Sequence, residues 1–160
     1  MMFFVRILSV LIALAGVTLF GTVSAFAGNG AVTETITEQN VTETFAEVVP
    51  CGAGGTALYD ITVTYNLVEH STFGPKSIHF TFAQTGTFVA VPHDPSLPTY
   101  TGHFRERGGF NGNARNENGT FTFSLHGTAD DGSTIVFNTV EHFNVTAEGV
   151  THEFSFPRCH

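Results

Sequence analysis

A carboxylate and an imidazole held among aromatic rings can exchange a proton with a ligand. Glu141 and His152 are the pair that turn spacing brings to an apolar face in this sequence. Glu141 shares an alternating face with Phe137, Phe143 and Val145, and His152 falls opposite Val145 if Glu148-Gly149 is a two-residue loop. A buried carboxylate is costly unless paired, so Glu141 either stands in water at the mouth of a barrel or meets a partner such as His152, Tyr59, Tyr65 or Arg105. In the first case it is a rim residue. In the second it is an acid or base at the bottom of an apolar pocket. Phe110, in a glycine- and asparagine-rich stretch, is a further candidate as the anchor of a recognition loop, and Tyr59, Tyr65 and Arg105 complete the candidate ligand-binding set.

Other chemistries find less support. The chain carries 8 histidines, yet none stands in His-x-His or His-Glu-x-x-His spacing, so no metal site is expected. His79, His103, His126 and His142 alternate with the Phe positions and read as exposed strand residues. No serine sits in Gly-x-Ser-x-Gly, and no pattern points to a cofactor. The 2 cysteines, Cys51 and Cys159, stand one near each end of the folding region. In an oxidising compartment they pair, closing a loop that the chain-entropy model values at roughly 4 to 5 kcal/mol. The alternative is two free thiols. Sequons at Asn40, Asn118 and Asn144 matter only in a glycosylating pathway.

The elements that must position these residues are strands. Tyr59, Ile61, Val63, Tyr65 and Leu67 alternate with Asp60, Thr62, Thr64 and Asn66, and the same period recurs around Phe80 and Phe123. The spacing predicts strands near 31–37, 41–49, 57–69, 77–83, 86–91, 99–107, 120–128, 133–146 and 150–157. A three-residue loop at Asp130-Asp131-Gly132 sets Leu125 opposite Phe137 and Phe121 opposite Glu141. A hairpin at Gln84-Thr85-Gly86 would set Phe82 opposite Phe88, and the Glu148-Gly149 loop would set Phe143 opposite Phe154. On these registers Phe123, Phe137, Phe143 and Phe154 share one buried face. Segment 108–119, with four glycines and four asparagines, reads as a surface loop, either a recognition loop or a plain connection.

Antiparallel strands with one apolar face and no helix to cover it close into a barrel or fold into a sandwich. The expected fold is an all-β, mostly antiparallel small barrel of about eight strands with one disulfide. With these strands in strict up-and-down order, however, Cys51 and Cys159 lie at opposite rims, which a single bridge cannot span. One connection, in 92–98 or 108–119, should then be something other than a hairpin, or Cys51 should lie near mid-height.

Residues 1–27 read as a signal peptide: Arg6, an apolar run from Ile7 to Phe20, and a small-residue stretch ending in Ala25-Phe26-Ala27. The other reading is an uncleaved anchor, which Thr18, Gly21, Thr22 and Ser24 weaken. Residues 28–160 then form a single exported domain with no stable membrane anchoring. The formal charge is −8, and losing Arg6 makes it −9, a surface that repels nucleic acid and anionic lipid.

Tyr100-Thr101-Gly102-His103-Phe104, the segment from Thr120 to Ser133, and Glu141-His142-Phe143 resemble a group of uncharacterised secreted actinobacterial proteins. The resemblance implies a similar exported β domain and brings no catalytic residue. At the level of fold the pattern is also similar to calycin and allene-oxide-cyclase-type barrels. Two functions follow as expectations: a non-catalytic secreted module binding a small apolar ligand or an extracellular partner, or a barrel isomerase or cyclase with an acid or base in an apolar cavity. Whether Glu141 and His152 line a hollow discriminates them.

Overall fold

Side chains in a strand alternate between faces, and directly opposed residues on neighbouring strands share one, so the apolar period of this chain builds a single two-sided sheet. The computed structural model describes residues 30–149 and 151–160. The leader predicted over 1–27 lies outside them. The strands are β1 (Val32–Val48), β2 (Leu58–Phe73), β3 (Ser77–Pro92), β4 (Tyr100–Asn113), β5 (Asn116–Ala129), β6 (Thr134–Thr146), β7 (Thr151–Ser155) and β8 (Arg158–Cys159). They form an antiparallel sheet in sequence order from β1 to β7, with β8 also on β6. The described residues contain no helix.

The sheet curls, with the apolar set on its concave face. Tyr59 of β2 and Tyr100 of β4 meet across the intervening strand, with ring centroids 5.9 Å apart. Ile61, Val63, Phe88, Phe104, Leu125 and Ile135 are buried on the same face. The curl does not close its hydrogen-bond ladder: among the described residues β1 and β7 are free edges.

Inner glycines permit the curl. A Cβ at Gly108 would overlap the rings of Phe82 and Phe121, which meet across it with centroids 6.0 Å apart. The rings of Phe110 and Phe143 stack at 6.1 Å across Gly119 in the same way.

Several sequence expectations need correction. The stretches 77–83 and 86–91 are one strand, β3, so Phe82 does not oppose Phe88 but faces Gly108 on β4. Gly86 serves close approach to β2 rather than a turn, since a Cβ there would overlap Thr64 O. The stretches 31–37 and 41–49 likewise merge into β1. A bulge between Glu38 and Val41 joins them, with Asn40 at φ 54° and its amide donating to Asn66 Oδ1. The 108–119 segment is not a loop: it continues β4 and β5, and the strands break only at Ala114 and Arg115.

The merger into β3 removes the conflict over the disulfide, because it takes one strand out of the count between Cys51 and Cys159. The connections from β1 to β7 all join sheet neighbours, including 93–99, and β7 and β8 run along one edge of β6 in a single register. Pro157 interrupts them because it has no amide hydrogen to donate. The end of β1 and the end of β8 therefore lie at the same rim, where Cys51 and Cys159 are bonded with Cα atoms 5.7 Å apart. The β1–β2 loop is held there by two tyrosines. The Tyr59 hydroxyl donates to Ala53 O at 3.0 Å, and the Ala53 amide donates to Tyr100 Oη at 2.8 Å.

The Asp130-Asp131-Gly132 register is as expected, with Leu125 opposite Phe137, Phe121 opposite Glu141 and Gly132 at φ 85°. The last hairpin is not. Gly149 is left-handed at φ 77° and its amide bonds Thr146 O, so the loop has three residues and the register shifts by one. Phe143 faces Glu153 and His142 faces Phe154. Phe154 thus leaves the core for the convex face, 47% exposed and stacked on His142.

Candidate functional site

Four polar side chains of the concave face, Glu38, Gln84, Glu106 and Thr139, lie in one row. Direct cross-strand partners run Glu38, Leu67, Gln84, Glu106, Phe123 and Thr139 from β1 to β6. The alternation Tyr100, Gly102, Phe104, Glu106, Gly108, Phe110 along β4 places Glu106 among aromatic neighbours, and it is only 2% exposed. The one hydrogen bond it accepts among the described residues comes from a neutral donor, Gln84 Nε2, at 2.8 Å to Oε2. Two more atoms of this row, Glu38 Oε2 and Thr139 Oγ1, are buried without a hydrogen-bond partner.

Aromatic rows bracket this one. On the disulfide side run Tyr65, Gly86, Phe104, Leu125 and Phe137, and on the other side Glu69, Phe82, Gly108, Phe121 and Glu141. Burial, opposed by the Gln84 hydrogen bond and assisted by the charge of Glu141, pushes the Glu106 carboxyl up to about 7. Burial also raises Glu141, against the hydrogen bond from Ser155 Oγ at 3.1 Å. The Tyr65 hydroxyl donates to Glu43 Oε1 at 3.0 Å, and burial followed by the Glu43 charge holds that phenol above its ordinary range. Every glutamate carried by a strand projects from this face, and no Lys, Arg or His of the strands does.

Glu141 is on the concave face as the sequence implies, next to the Glu106 row, but its partner is Ser155 rather than His152, Tyr59, Tyr65 or Arg105. His152 is on the opposite face, beside Asn144, because the three-residue loop flips its side. Arg105 is also convex and exposed. Tyr59 serves the rim, while Tyr65 lines the site. Phe110 is a half-buried strand residue stacked on Phe143 rather than the tip of a loop. Sequence reasoning missed Glu106 and Gln84. The alternation along β4 carries the signal for the first. The second was hidden by the supposed hairpin at Gln84.

Among the described residues no group of three or more His, Cys, Asp or Glu is arranged to hold a metal ion. A buried acid with a neutral partner, flanked by rings, can accept hydrogen bonds from a ligand, pair with a cation or exchange a proton near neutral pH. No protein family, no curated protein and no solved structure matches the chain.

Proposed function

We propose that this chain is a secreted, non-catalytic binding module whose concave face takes a small ligand with an apolar body and an ammonium group. The observation that carries the reading is Glu106: a carboxylate 2% exposed, paired with a neutral amide, in a row holding two more buried polar atoms without partners. A cation there gains from both the carboxylate and the ring faces, in a setting where water screens little. Secretion rests on the leader-like residues 1–27, and the Cys51–Cys159 bridge is compatible with an oxidising environment. The likeness to secreted actinobacterial β-domain proteins belongs to the same reading.

The experiment is thermal denaturation with a panel of alkyl and aryl amines, the isosteric alcohols and the matching carboxylic acids. A binding amine should stabilise the protein by about 2.7 kcal/mol at a hundredfold excess over its Kd. Glu106→Gln should abolish that gain while the protein still folds. Failure of every amine, or equal stabilisation of the variant, defeats the reading.

One observation favours a second function, a barrel isomerase or cyclase. A Glu106 carboxyl near 7 is suited to general acid or base work, and Glu141 occupies the adjoining row. In an enzyme Glu106→Gln would leave ligand binding largely intact and remove turnover, the reverse of what the binding module requires.

A further inference from the structure

Charge in this protein is sorted by face. The strand-borne glutamates are concave, and the convex face of β1 to β6 holds a single carboxylate, Asp60 at the rim, which pairs with His93 at 2.8 Å. Arg105 and Arg107 of β4 project from the convex face, in a chain of net charge −8. So do His70 of β2, His79 of β3, His103 of β4, His126 of β5 and His142 of β6. His152 and Arg158 extend the same face along the β7–β8 edge. Threonine, serine and asparagine fill most of the remaining convex positions of the central strands.

At the centre the sheet is pulled tight, since a Cβ at Gly86 would overlap Thr64 O and one at Gly102 would overlap His126 O. Beside these glycines is a hollow lined by Thr85, Thr87, His103, Arg105, Ser124 and His126. His103 opposes His126, and Arg105 opposes Ser124 and Thr85. One guanidinium, two imidazoles and three hydroxyls thus converge without an acid between them.

The geometry points to this face as a binding surface for an anionic polysaccharide, with one acidic group seated in the Arg105–His103–His126 hollow. The guanidinium supplies a forked donor to a carboxylate or sulfate, and the hydroxyl and amide side chains around it match sugar hydroxyls. Two other polyanions fit less well. The centre of this face has no Phe, Tyr or Trp to form a stacking platform for successive bases or to insert into a lipid headgroup layer. Acidification strengthens the interaction, because histidine is the side chain that gains charge across the physiological range. The groups that face Arg105 from β3, β5 and β6 contribute positive or neutral chemistry only.

The test is binding of oligogalacturonate, dextran sulfate, neutral dextran, a single-stranded oligonucleotide and phosphatidylserine vesicles to the disulfide-bonded protein, at about pH 5.5 and about pH 7.5. Binding of either acidic polysaccharide, tighter at the lower pH, is expected, and the one preferred identifies carboxylate or sulfate as the seated group. The exposed double variant Arg105→Gln/Arg107→Gln should weaken it roughly tenfold or more. His103→Gln/His126→Gln should flatten the pH dependence. Equal binding of neutral dextran overturns the proposal. So does equal or tighter binding of the oligonucleotide or vesicles, or indifference of a folded arginine variant to substitution.

Discussion

Glu106 shows how a single side chain can set the pH response of a fold. Its carboxyl holds a proton up to about 7 in the native state, against an ordinary value of 4.5. Between those values the native chain binds more protons than the unfolded one, so its stability falls as the pH rises through the window and stays lower above it. The effect is on the order of 3 kcal/mol. Glu106→Gln should therefore melt higher than the parent at about pH 8, with little difference at about pH 5. A parent and variant with parallel pH profiles would remove Glu106 from the interior. Burial sets the contrast between two phenylalanines as well. Phe82 is 5% exposed and Phe154 47%. Phe82→Ala should cost about 3 to 5 kcal/mol, whereas Phe154→Ala should cost about 1 kcal/mol or less, as denaturant titration will show.

At the scale of elements, glycines on the concave face act as seats for neighbouring rings. Gly108→Ala would drive a methyl group into Phe82 and Phe121 and should destabilise by about 1 to 3 kcal/mol. Gly109→Ala is its control, since its Cβ would meet nothing nearer than 3.6 Å, and it should be close to neutral by the same titration. The same elements show what the sequence discloses. Strand type, the apolar face and the Asp130-Asp131-Gly132 register follow from local alternation and turn chemistry, and all are observed. The errors at Gly86 and over 108–119 share one cause: in the sequence a glycine reads as a breaker. Gly86 suggested a turn, and the glycines from 108 to 119 suggested a loop, because a glycine seated against a ring and a glycine in a turn look alike until the neighbouring strand is known. Gly149 erred the other way. It does mark a turn, but one residue in loop length decided whether His152 and Phe154 faced inward. Glu141 reached the concave face because its own turn was read correctly, whereas Glu106 needed only the period of β4.

At the scale of the molecule, the Cys51–Cys159 bond joins positions 108 residues apart and ties the β1–β2 loop to the last strand. Its removal by Cys51→Ser/Cys159→Ser should cost roughly 2 to 5 kcal/mol. Hydrogen exchange should rise first along the β6 edge at Phe137 and Asn138, where β8 pairs, and last in β2 to β4. Uniform exchange across the sheet would show that the bond stabilises the whole fold without holding that edge. A deeper consequence lies in the number of strand positions. Counting β7 and β8 as one edge, the meander has an odd number, so its first and last members point the same way. That arithmetic is what brings the two cysteines to one rim. It also means that the two open edges could zip together only as a parallel pair, a hydrogen-bond pattern used nowhere else in this sheet. An even meander would have offered its edges a matching antiparallel seam and set its cysteines at opposite ends. This chain has a covalent clasp at one rim in place of a closed ladder.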